Sequence, residues 1–363
     1  MAEKRFYDRS DFPELPAAER ALHAFVQGLG QDGRPLVLCH SDADGVCAGA
    51  ILYTVLKRAG LPRVEIAITG KGEHAYTKDT RQRLESLVPP ALFVLDLGCK
   101  AEPVLPEVPT LFVDHHRPLG VPENGVLVSS YAWQPIPNSS LLVWWLCAAI
   151  APVDDLDWVA AMGTLSDLGD GAPFGLLPRA RQRYTAKWLR EATTLVNAAR
   201  RGAAHDTETA LQAILKATHP RQVAAEDTPE GARLWTYRRQ VAAAFNEGKK
   251  AAPVFSGEVA LVRIASPCLV HPLVAQVWRT RLPKYMVIVA NERYIPGWVT
   301  FSARSSERYN LLDFFRSIDL DLAEGYFGYG HDQASGGSIP TAAWNELLRQ
   351  LGFGEEVLLH GTG

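Results

Sequence analysis

Residues 36–45 constrain the fold of this chain more than any other segment. The apolar run 36–39 is followed at once by His40, Asp42 and Asp44 at alternate positions, and then by glycine and a helical pattern. Open α/β sheets build their sites in this way, with a buried strand that delivers ligand-type side chains to its C-terminal edge. If the extended backbone continues past residue 39, the three side chains point to one side.

The donor groups of this segment suit a metal ion. Three converging ligand groups, two of them anionic, repel one another unless cations lie between them. Carboxylate and imidazole ligands together suit Mn, Mg, Zn or Fe. In the alternative interpretation Asp44 forms an Asx turn or caps a helix, with Gly45 as the turn residue. The segment is a metal site only if other parts of the chain supply matching ligands.

Two later apolar runs end in the same way. Residues 91–98 carry Asp96 near their end, and residues 110–114 are followed by His115 and His116. Helix-length segments separate the three runs. Three apolar strands that each end in Asp or His predict a parallel sheet with its site at one edge.

Other segments complete this first predicted domain. Residues 64–68 and 126–128 are typical of further strands, and Asn138 with the two serines after it predicts a helix N-cap. A helical pattern over residues 154–168 ends in Asp167. Asp167 is therefore a candidate fourth carboxylate for the site.

Composition places the chain among globular proteins with two domains. It has 363 residues, of which 47% are hydrophobic and 21% charged, and its net charge is −3. The five cysteines are scattered without a Cys-x-x-Cys motif, which predicts buried thiols in a reducing compartment. The first eleven residues are charged and unlike a signal peptide, and the apolar run 141–151 is too short to span a bilayer. We expect a cytoplasmic protein.

Residues 178–250 differ in character from the rest. Helical patterns dominate there, and 14 Lys and Arg against 7 Asp and Glu give the segment a charge of +7. The remainder of the chain therefore carries −10, because the total is −3. A basic helical connector beside an acidic site fits an anionic substrate. A solvated linker helix is the alternative.

Strand patterns return after residue 254 and predict a second α/β domain. Strands are predicted at 257–264, 286–291 and 298–304, and a helix at 311–318. Residues 325–337 contain five glycines and are expected to form a Gly-rich loop, which lets backbone N–H groups approach a phosphate. With Arg304 at a strand end, this loop predicts an anion pocket.

Four motifs carry a resemblance to a known family: residues 40–45, 95–98, 114–116 and 163–167. Together with residues 301–304 and 328–337, they resemble the DHH phosphoesterases and their associated C-terminal domain. That superfamily includes RecJ nucleases, nanoRNase/pAp phosphatases, cyclic-dinucleotide phosphodiesterases and family II pyrophosphatases. The resemblance covers most of the chain and implies a DHH catalytic domain at 1–190, a basic helical connector at 191–250 and a smaller substrate-binding domain at 251–363.

The resemblance also implies a site with two metal ions, usually Mn²⁺, with Mg²⁺ as the alternative. The implied ligands are His40 and Asp42 for one ion, Asp44, His115 and Asp167 for the other, and Asp96 as the bridge. It further implies that Asp114 orients His115 and that His116 contacts the scissile phosphate. The implied substrate-binding residues are Arg304, Gly330, His331, Ser335 and Gly336.

Two features depart from the family pattern. Several members space the first motif His-x-x-x-Asp-x-Asp, whereas this chain has His-x-Asp-x-Asp, which is nearer the RecJ-like form. Tyr329 interrupts the usual run of glycines before His331 and could offer a stacking surface for a base or a hydroxyl at the rim of the loop.

The implied function is metal-dependent hydrolysis of single-stranded or short oligonucleotides to mononucleotides. The chain shows no OB-type module of the kind that full-length RecJ proteins carry, which favours short substrates or a reduced RecJ-like exonuclease. A pAp phosphatase or cyclic-dinucleotide phosphodiesterase is the alternative, and a non-catalytic scaffold of the same fold is the remote one. The expected partners are oligonucleotides or small nucleotides and no membrane, with homodimer formation left open.

Overall fold

The computed structural model describes residues 5–30, 33–322 and 325–359. Contacts divide the chain into two compact units. The N-terminal unit comprises Met1–Arg200 and His205–Thr236, and the C-terminal unit comprises Arg201–Ala204 and Tyr237–Gly363. Both units contain helices and a β-sheet, so the predicted α/β class with two sheets is confirmed.

The N-terminal unit is built on a five-stranded parallel sheet. Its order is β2-β1-β3-β4-β5. The strands are β1 Leu36–Cys39, β2 Glu65–Ile68, β3 Leu92–Leu95, β4 Thr110–Asp114 and β5 Gly125–Ser129. The three central strands are buried on both faces, which explains why they are continuous apolar runs rather than alternating ones.

Helices follow β1, β2 and β5 and cover both faces of this sheet, whereas the described connections after β3 and β4 contain no helix. The helices are α1 Leu15–Gly28, α2 Ala43–Arg58, α3 Lys78–Leu87, α4 Ser139–Cys147, α5 Asp157–Leu168, α6 Leu176–Tyr184, α7 Ala186–Arg201, α8 Thr207–Lys216 and α9 Pro220–Val223. α2 is apolar on all sides and packs against α4, α5 and α8 as well as β1. On the opposite face Leu84 of α3 packs with Leu38, Val94 and Phe112.

The C-terminal unit contains a six-stranded mixed sheet of order β10-β11-β9-β8-β7-β6. Only the β7–β8 pair is parallel. The strands are β6 Pro253–Ser256, β7 Val259–Ile264, β8 Met286–Asn291, β9 Trp298–Arg304, β10 Tyr326–His331 and β11 Ala334–Pro340. The helices are α10 Pro229–Gly248, which begins in the N-terminal unit, α11 His271–Arg281, α12 Leu311–Arg316 and α13 Thr341–Gln350.

Helices cover both faces of this second sheet as well. Phe301 and Ile288 pack with Phe315 of α12 and Trp344 of α13 on one face. Val262 and Val289 pack on the other face with Val274 of α11 and Val241 of α10. Each unit therefore has its own core.

The Gly-rich segment differs from its sequence-based prediction. It does not form a loop, because residues on either side of Asp332 pair as the antiparallel strands β10 and β11. A register shift between Phe327 and Tyr329 gives this hairpin a bulge. Two positions of β11 require glycine despite its low preference for strands. An added Cβ at Gly336 or Gly337 would lie 2.6 Å from a carbonyl oxygen of the neighbouring strand.

The predicted helical connector is not a separate unit by contact. α7 buries Leu189, Leu195 and Val196, and α8 packs against α2, so both belong with the parallel sheet. The division between the units falls within α10, after Thr236. The functional boundaries at 190 and 250 remain a prediction.

None of the five cysteines forms a disulfide, and all are buried, as the sequence predicted. Within residues 5–30, 33–322 and 325–359, none of the helices combines the length and the apolar character that a membrane crossing requires.

Val88 offers a test of the backbone geometry. It ends α3 with φ 46° and ψ 55°, in the left-handed region that β-branched residues disfavour, and its side chain is 72% exposed. We expect V88N to raise the free energy of unfolding by about 1 kcal/mol, because Asn tolerates this region. Thermal or urea unfolding measures the change. The control V254N alters a valine in an extended strand and should not increase the free energy of unfolding. A decrease in stability for V88N would contradict backbone strain at Val88.

Candidate metal centre at the edge of the parallel sheet

The C-terminal ends of three adjacent strands bring the predicted ligands together. β1, β3 and β4 are parallel neighbours, so the residues after them lie at one edge of the sheet. There, His and Asp donor atoms fall into three groups, each with its atoms within 4.8 Å of one another. The groups are His40, Asp42 and Asp96; Asp44, His115 and Asp167; and Asp96, Asp114, His115 and His116.

Asp42 is the N-cap of α2. Its Oδ1 accepts hydrogen bonds from the backbone N–H groups of Asp44 (3.1 Å) and Gly45 (3.0 Å). The predicted extended backbone therefore ends at Asp42, and strand alternation does not explain how Asp42 and Asp44 converge. Asp44 is not the cap either, since it lies in the first turn of the helix. A capped helix start is more favourable because it satisfies free N–H groups with a carboxylate.

Gly45 is required by the sharp entry into α2. An added Cβ would lie 2.5 Å from the carbonyl oxygen of His40. The close approach lets the strand pass into the helix without a long connecting loop, and it keeps the side chain of His40 beside that of Asp42. His40 Nδ1 is 3.0 Å from Asp42 Oδ2.

Asp44 is fixed at the N-terminus of α4. Its Oδ1 accepts from Asn138 Nδ2 (2.6 Å) and the Ser140 N–H (2.8 Å), and its Oδ2 accepts from the Ser139 N–H (3.0 Å). The residue is 1% exposed. Free N–H groups and the helix dipole favour an anion at this position, so the structure can keep a carboxylate here away from water.

Asp96 lies between the two triads. Its carboxylate is 3.5 Å from His40 Nδ1 and 3.3 Å from His115 Nε2, and it accepts a 2.8 Å hydrogen bond from Ser139 Oγ. Its backbone has φ 63°, a left-handed conformation that few residues other than glycine adopt. Strained backbones of this kind cluster at functional sites.

Asp114 orients His116 rather than His115, which corrects the role expected for it. Its Oδ1 is 2.7 Å from both the Nδ1 and the backbone N–H of His116, and its Oδ2 accepts a 2.5 Å hydrogen bond from the Gly98 N–H. The His116 side chain is 49% exposed. A buried carboxylate therefore holds an accessible imidazole at the rim of the cluster.

His115 links Asp96 to Asp167. Its Nδ1 is 3.6 Å from Asp167 Oδ2, while its Nε2 faces Asp96. Asp167 lies near the C-terminal end of α5, and that helix can approach only because residue 163 is glycine. An added Cβ at Gly163 would lie 2.0 Å from Ser140 Oγ and 2.9 Å from Asp44 Oδ1.

The histidines of the cluster bind protons tightly. Burial alone would lower the pKa of His40, but Asp42 and Asp96 outweigh it and raise that pKa to about 9. Burial likewise opposes the proton on His115, whereas Asp96, Asp44 and Asp167 raise its pKa to about 10. Imidazolium cations are thus favoured beside these carboxylates.

The carboxylates repel one another despite their hydrogen bonds. Burial, followed by the charges of Asp96 and Asp167, raises the pKa of Asp44 to about 8. Burial and Asp96 also raise the pKa of Asp167. Conversely, His40 and Arg200 lower the pKa of Asp42 against the effect of burial. The cluster therefore needs positive charge. Bound protons supply that charge when no metal ion is bound.

These donors fit divalent cations. Imidazole and carboxylate groups are the ligands that Mn²⁺ accepts, and a cation can replace the protons that the cluster otherwise holds. Two triads joined through Asp96 offer two places for an ion. Supporting hydrogen bonds orient the ligands of metal sites. Here Asn138 donates to Asp44 and Ser139 donates to Asp96, while Asp114 contacts the neighbouring His116.

The predicted substrate-binding residues meet at one end of the second sheet. Cross-strand pairs join Arg304 with Ala334, Gly330 with Ser335, and His331 with Ala334, and Gly336 faces Ser302. The structure thus brings together all five of these residues, although on paired strands instead of a loop. The side chain of Tyr329 lies outside the part of the chain that is described.

The Arg304 side chain is half-buried. Among the described residues, no carboxylate lies within ion-pair distance of its guanidinium. Its Nη1 donates to Ser302 Oγ and the Ala303 carbonyl, both at 2.8 Å. Burial and the nearby charge of Arg279 lower its pKa. A bound anion would offset both the burial of the Arg304 charge and its repulsion by Arg279, so the site suits a phosphate.

The positive charge predicted for residues 178–250 is compensated in part by carboxylates from outside the segment. Arg179 pairs with Asp8, Arg181 and Arg190 with Asp170, and Arg183 with Asp157. These contacts attach the helices to the N-terminal unit. These ion pairs therefore explain part of the charge without an anionic substrate. The alternative, a solvated linker helix, does not describe α7 and α8, which pack on the N-terminal unit.

Two residues near the end of α7 support the site and were not predicted. Asn197 accepts from the Ala43 N–H (3.3 Å) and donates to Ser166 Oγ (2.9 Å). Arg200 Nη1 is 3.4 Å from Asp42 Oδ2. The basic composition of this segment hinted at a cation near the site, but no local pattern marks which arginine reaches it.

Gly163 allows a direct test of how α5 supports the cluster. We expect G163A to lower the free energy of unfolding by about 1–3 kcal/mol, because the methyl group must displace Ser140 and with it the N-terminus of α4. Urea unfolding measures the loss. G171A is the matched control, since nothing lies within 4 Å of an added Cβ there. Equal stability of the two variants would contradict the packing.

Comparisons with solved structures identify proteins with the same fold. The Mn²⁺ complex of RecJ from Thermus thermophilus matches with a TM-score of 0.71 and 18% identity over 96% of this chain and 55% of that one. An exonuclease RecJ bound to manganese matches with a TM-score of 0.68 and 19% identity over 93% of both chains. The DHH domain of a protein assigned to a family of ribosomal proteins gives a TM-score of 0.69 and 13% identity over 98% of this chain and 94% of that one.

This chain spans about half the length of the Thermus RecJ and nearly all of the second RecJ chain. No protein-family model and no curated protein matches the sequence. The structural matches cover more than nine-tenths of the chain and therefore extend over both units. The chain has the DHH-family phosphoesterase fold.

Proposed function

We propose that this protein is a metal-dependent phosphodiesterase that uses two divalent cations, Mn²⁺ or Mg²⁺, at the edge of the parallel sheet. The observation that carries the proposal is the pair of triads, His40–Asp42–Asp96 and Asp44–His115–Asp167, joined by the contact of Asp96 with His115. All six ligand-type residues are present and close together, which argues against a non-catalytic scaffold.

Two bound cations would polarise the phosphoryl oxygens, activate a water as the nucleophile and stabilise the leaving oxygen. His40, Asp42 and Asp96 would hold one ion, and Asp44, His115 and Asp167 the other, with Asp96 shared. The chain fixes this geometry in advance, because Asp42 is bound by the start of α2 and Asp44 by the start of α4. Preorganised ligands lose little freedom when metal binds.

His116 would contact the scissile phosphate. Its Nδ1 faces Asp114, so its Nε2 is the free nitrogen of a ring that is half exposed beside Asp96. Asp114 favours a proton on Nδ1 and also raises the pKa of His116 against the effect of burial. Such an imidazole can donate a hydrogen bond to a phosphoryl oxygen.

Arg304 would bind a second phosphate of the substrate. The guanidinium lies beside Ser302 and near Arg279 without a carboxylate to neutralise it. His331, Ser335, Gly330 and Gly336 would complete this anion site on the paired strands. A substrate bound at both the metal centre and Arg304 would carry at least two phosphates, as single-stranded and short oligonucleotides do.

The substrate is best identified by a direct comparison. The purified protein is incubated with Mn²⁺ and end-labelled RNA and DNA, as dinucleotides and as long single strands. We expect release of mononucleotides from these strands. Preferred hydrolysis of pAp or of cyclic dinucleotides would move the assignment to those substrates. Absence of hydrolysis of every phosphodiester with Mn²⁺ and with Mg²⁺ would contradict the proposal.

Asp96 is the residue on which the proposed metal site depends most. D96N should lower kcat by a factor on the order of 1,000 or more, because it removes the carboxylate of the first triad that also contacts His115 of the second and that is proposed to bind both ions. Urea unfolding checks that D96N is folded, because the loss of one partner from a buried charged network, here Asp96 beside His40 and His115, lowers stability. D155N is the control, because it removes an exposed carboxylate paired with Arg58. Retained activity in D96N would refute the shared ligand.

Arg304 tests the second anion site separately. R304A should raise KM by roughly 10- to 100-fold with little change in kcat, because it removes charged hydrogen bonds remote from the reacting phosphate. R308A is the matched control, since Arg308 is exposed and already paired with Glu258. A fall in kcat at unchanged KM would contradict a role in substrate binding.

A further inference from the structure

The last strand of the parallel sheet has an edge whose sequence carries none of the usual blunting residues. β5 pairs with β4 on one side, and in the described chain no strand pairs with its other side. Its sequence, Gly-Val-Leu-Val-Ser, contains no charge, no proline and no bulge. Natural edge strands are normally blunted by one of these devices, because an open edge pairs readily with another chain.

The other three edge strands of the two sheets each carry such a device. β2 has the exposed charge of Glu65, β6 begins with Pro253, and β10 contains the bulge after Phe327. β5 is thus the exception among the edges, although it is as long as β4 and longer than β2.

Several exposed apolar side chains lie within or close to this strand in the sequence. Leu119 is 63% exposed, and Val121, Val126 and Tyr131 are between 41% and 46% exposed. All four lie in the segment from residue 119 to residue 131, before, within and just after β5. Val126, within the strand, is an exposed apolar side chain on the unpaired edge.

The hydrogen-bond pattern shows which backbone groups are free. The Asn124 carbonyl accepts from Thr110 of β4, and the Ser130 N–H donates to Asp114. Because pairing alternates along a strand, the even-numbered residues of β5 face β4. The N–H and C=O groups of Leu127 and Ser129 therefore point away from the sheet. At Gly125 only the carbonyl is offered, since its N–H donates to the Pro122 carbonyl.

We propose that β5 pairs with β5 of a second copy of this chain in antiparallel register, centred on Leu127. Leu127 then faces Leu127 of the second copy across a two-fold axis, and the two residues exchange both hydrogen bonds. On either side, the Ser129 N–H of one copy donates to the Gly125 carbonyl of the other. The two sheets join into one of ten strands.

A second copy fits this edge better than an unrelated strand does. A two-fold axis requires a self-complementary segment, and the register places Val126 of each copy opposite Val128 of the other. The exposed Val126 gains an apolar cross-strand neighbour, and no like charges meet anywhere between residues 125 and 129. This inference does not depend on the proposed activity.

Sedimentation equilibrium of the full chain tests the dimer. The wild-type protein should be a dimer at micromolar concentration, and V126K should be a monomer because two lysines then lie beside the axis. V254K is the matched control: Val254 is equally exposed, at 42%, and lies on the edge strand of the other sheet. V254K should remain a dimer. A monomeric wild type, a dimeric V126K or a monomeric V254K would overturn the proposal.

Hydrogen exchange provides a readout that does not require a variant to fold. In the wild type the amides of Leu127 and Ser129 should become more protected as protein concentration rises. The amides of Val126 and Val128 already face β4 and should be protected throughout. Fast, concentration-independent exchange at Leu127 would overturn the pairing.

Discussion

The contact of the Asp44 carboxylate with the N-terminus of α4 is the interaction on which the candidate site depends. A carboxylate that is 1% exposed beside Asp96 and Asp167 is unfavourable unless groups of opposite polarity surround it. Two backbone N–H groups and the Asn138 amide provide part of that polarity. The remainder must come from protons or from metal ions. The acidic edge is therefore built to hold cations.

The sequence predicted the strands of the parallel sheet and the edge at which the ligands meet. That was possible because buried parallel strands are continuous apolar runs, and the polar residues that end them must share an edge. It could not predict where β1 ends, because the same residues can continue a strand or cap a helix. Asp42 caps α2, and helix geometry rather than strand alternation brings Asp44 to the cluster.

Long-range contacts were the part that no local pattern could provide. Asp114 serves His116 instead of His115, Ser139 reaches Asp96, and Arg200 reaches Asp42 across 158 residues of sequence. The Gly-rich segment was expected to be a loop because glycine disfavours strands, yet close approach of β9 and β10 requires small residues in β11. Part of the excess of basic residues in the helical segment is likewise explained by ion pairs with carboxylates outside it.

We propose that the edge formed by β1, β3 and β4 binds two divalent cations through a shared Asp96. Anomalous scattering from crystals of the protein grown with Mn²⁺ locates such ions. We expect two Mn²⁺ peaks per chain, both in contact with Asp96, with His40 and Asp42 at one and Asp44, His115 and Asp167 at the other. A single peak, or peaks remote from Asp96, would contradict it.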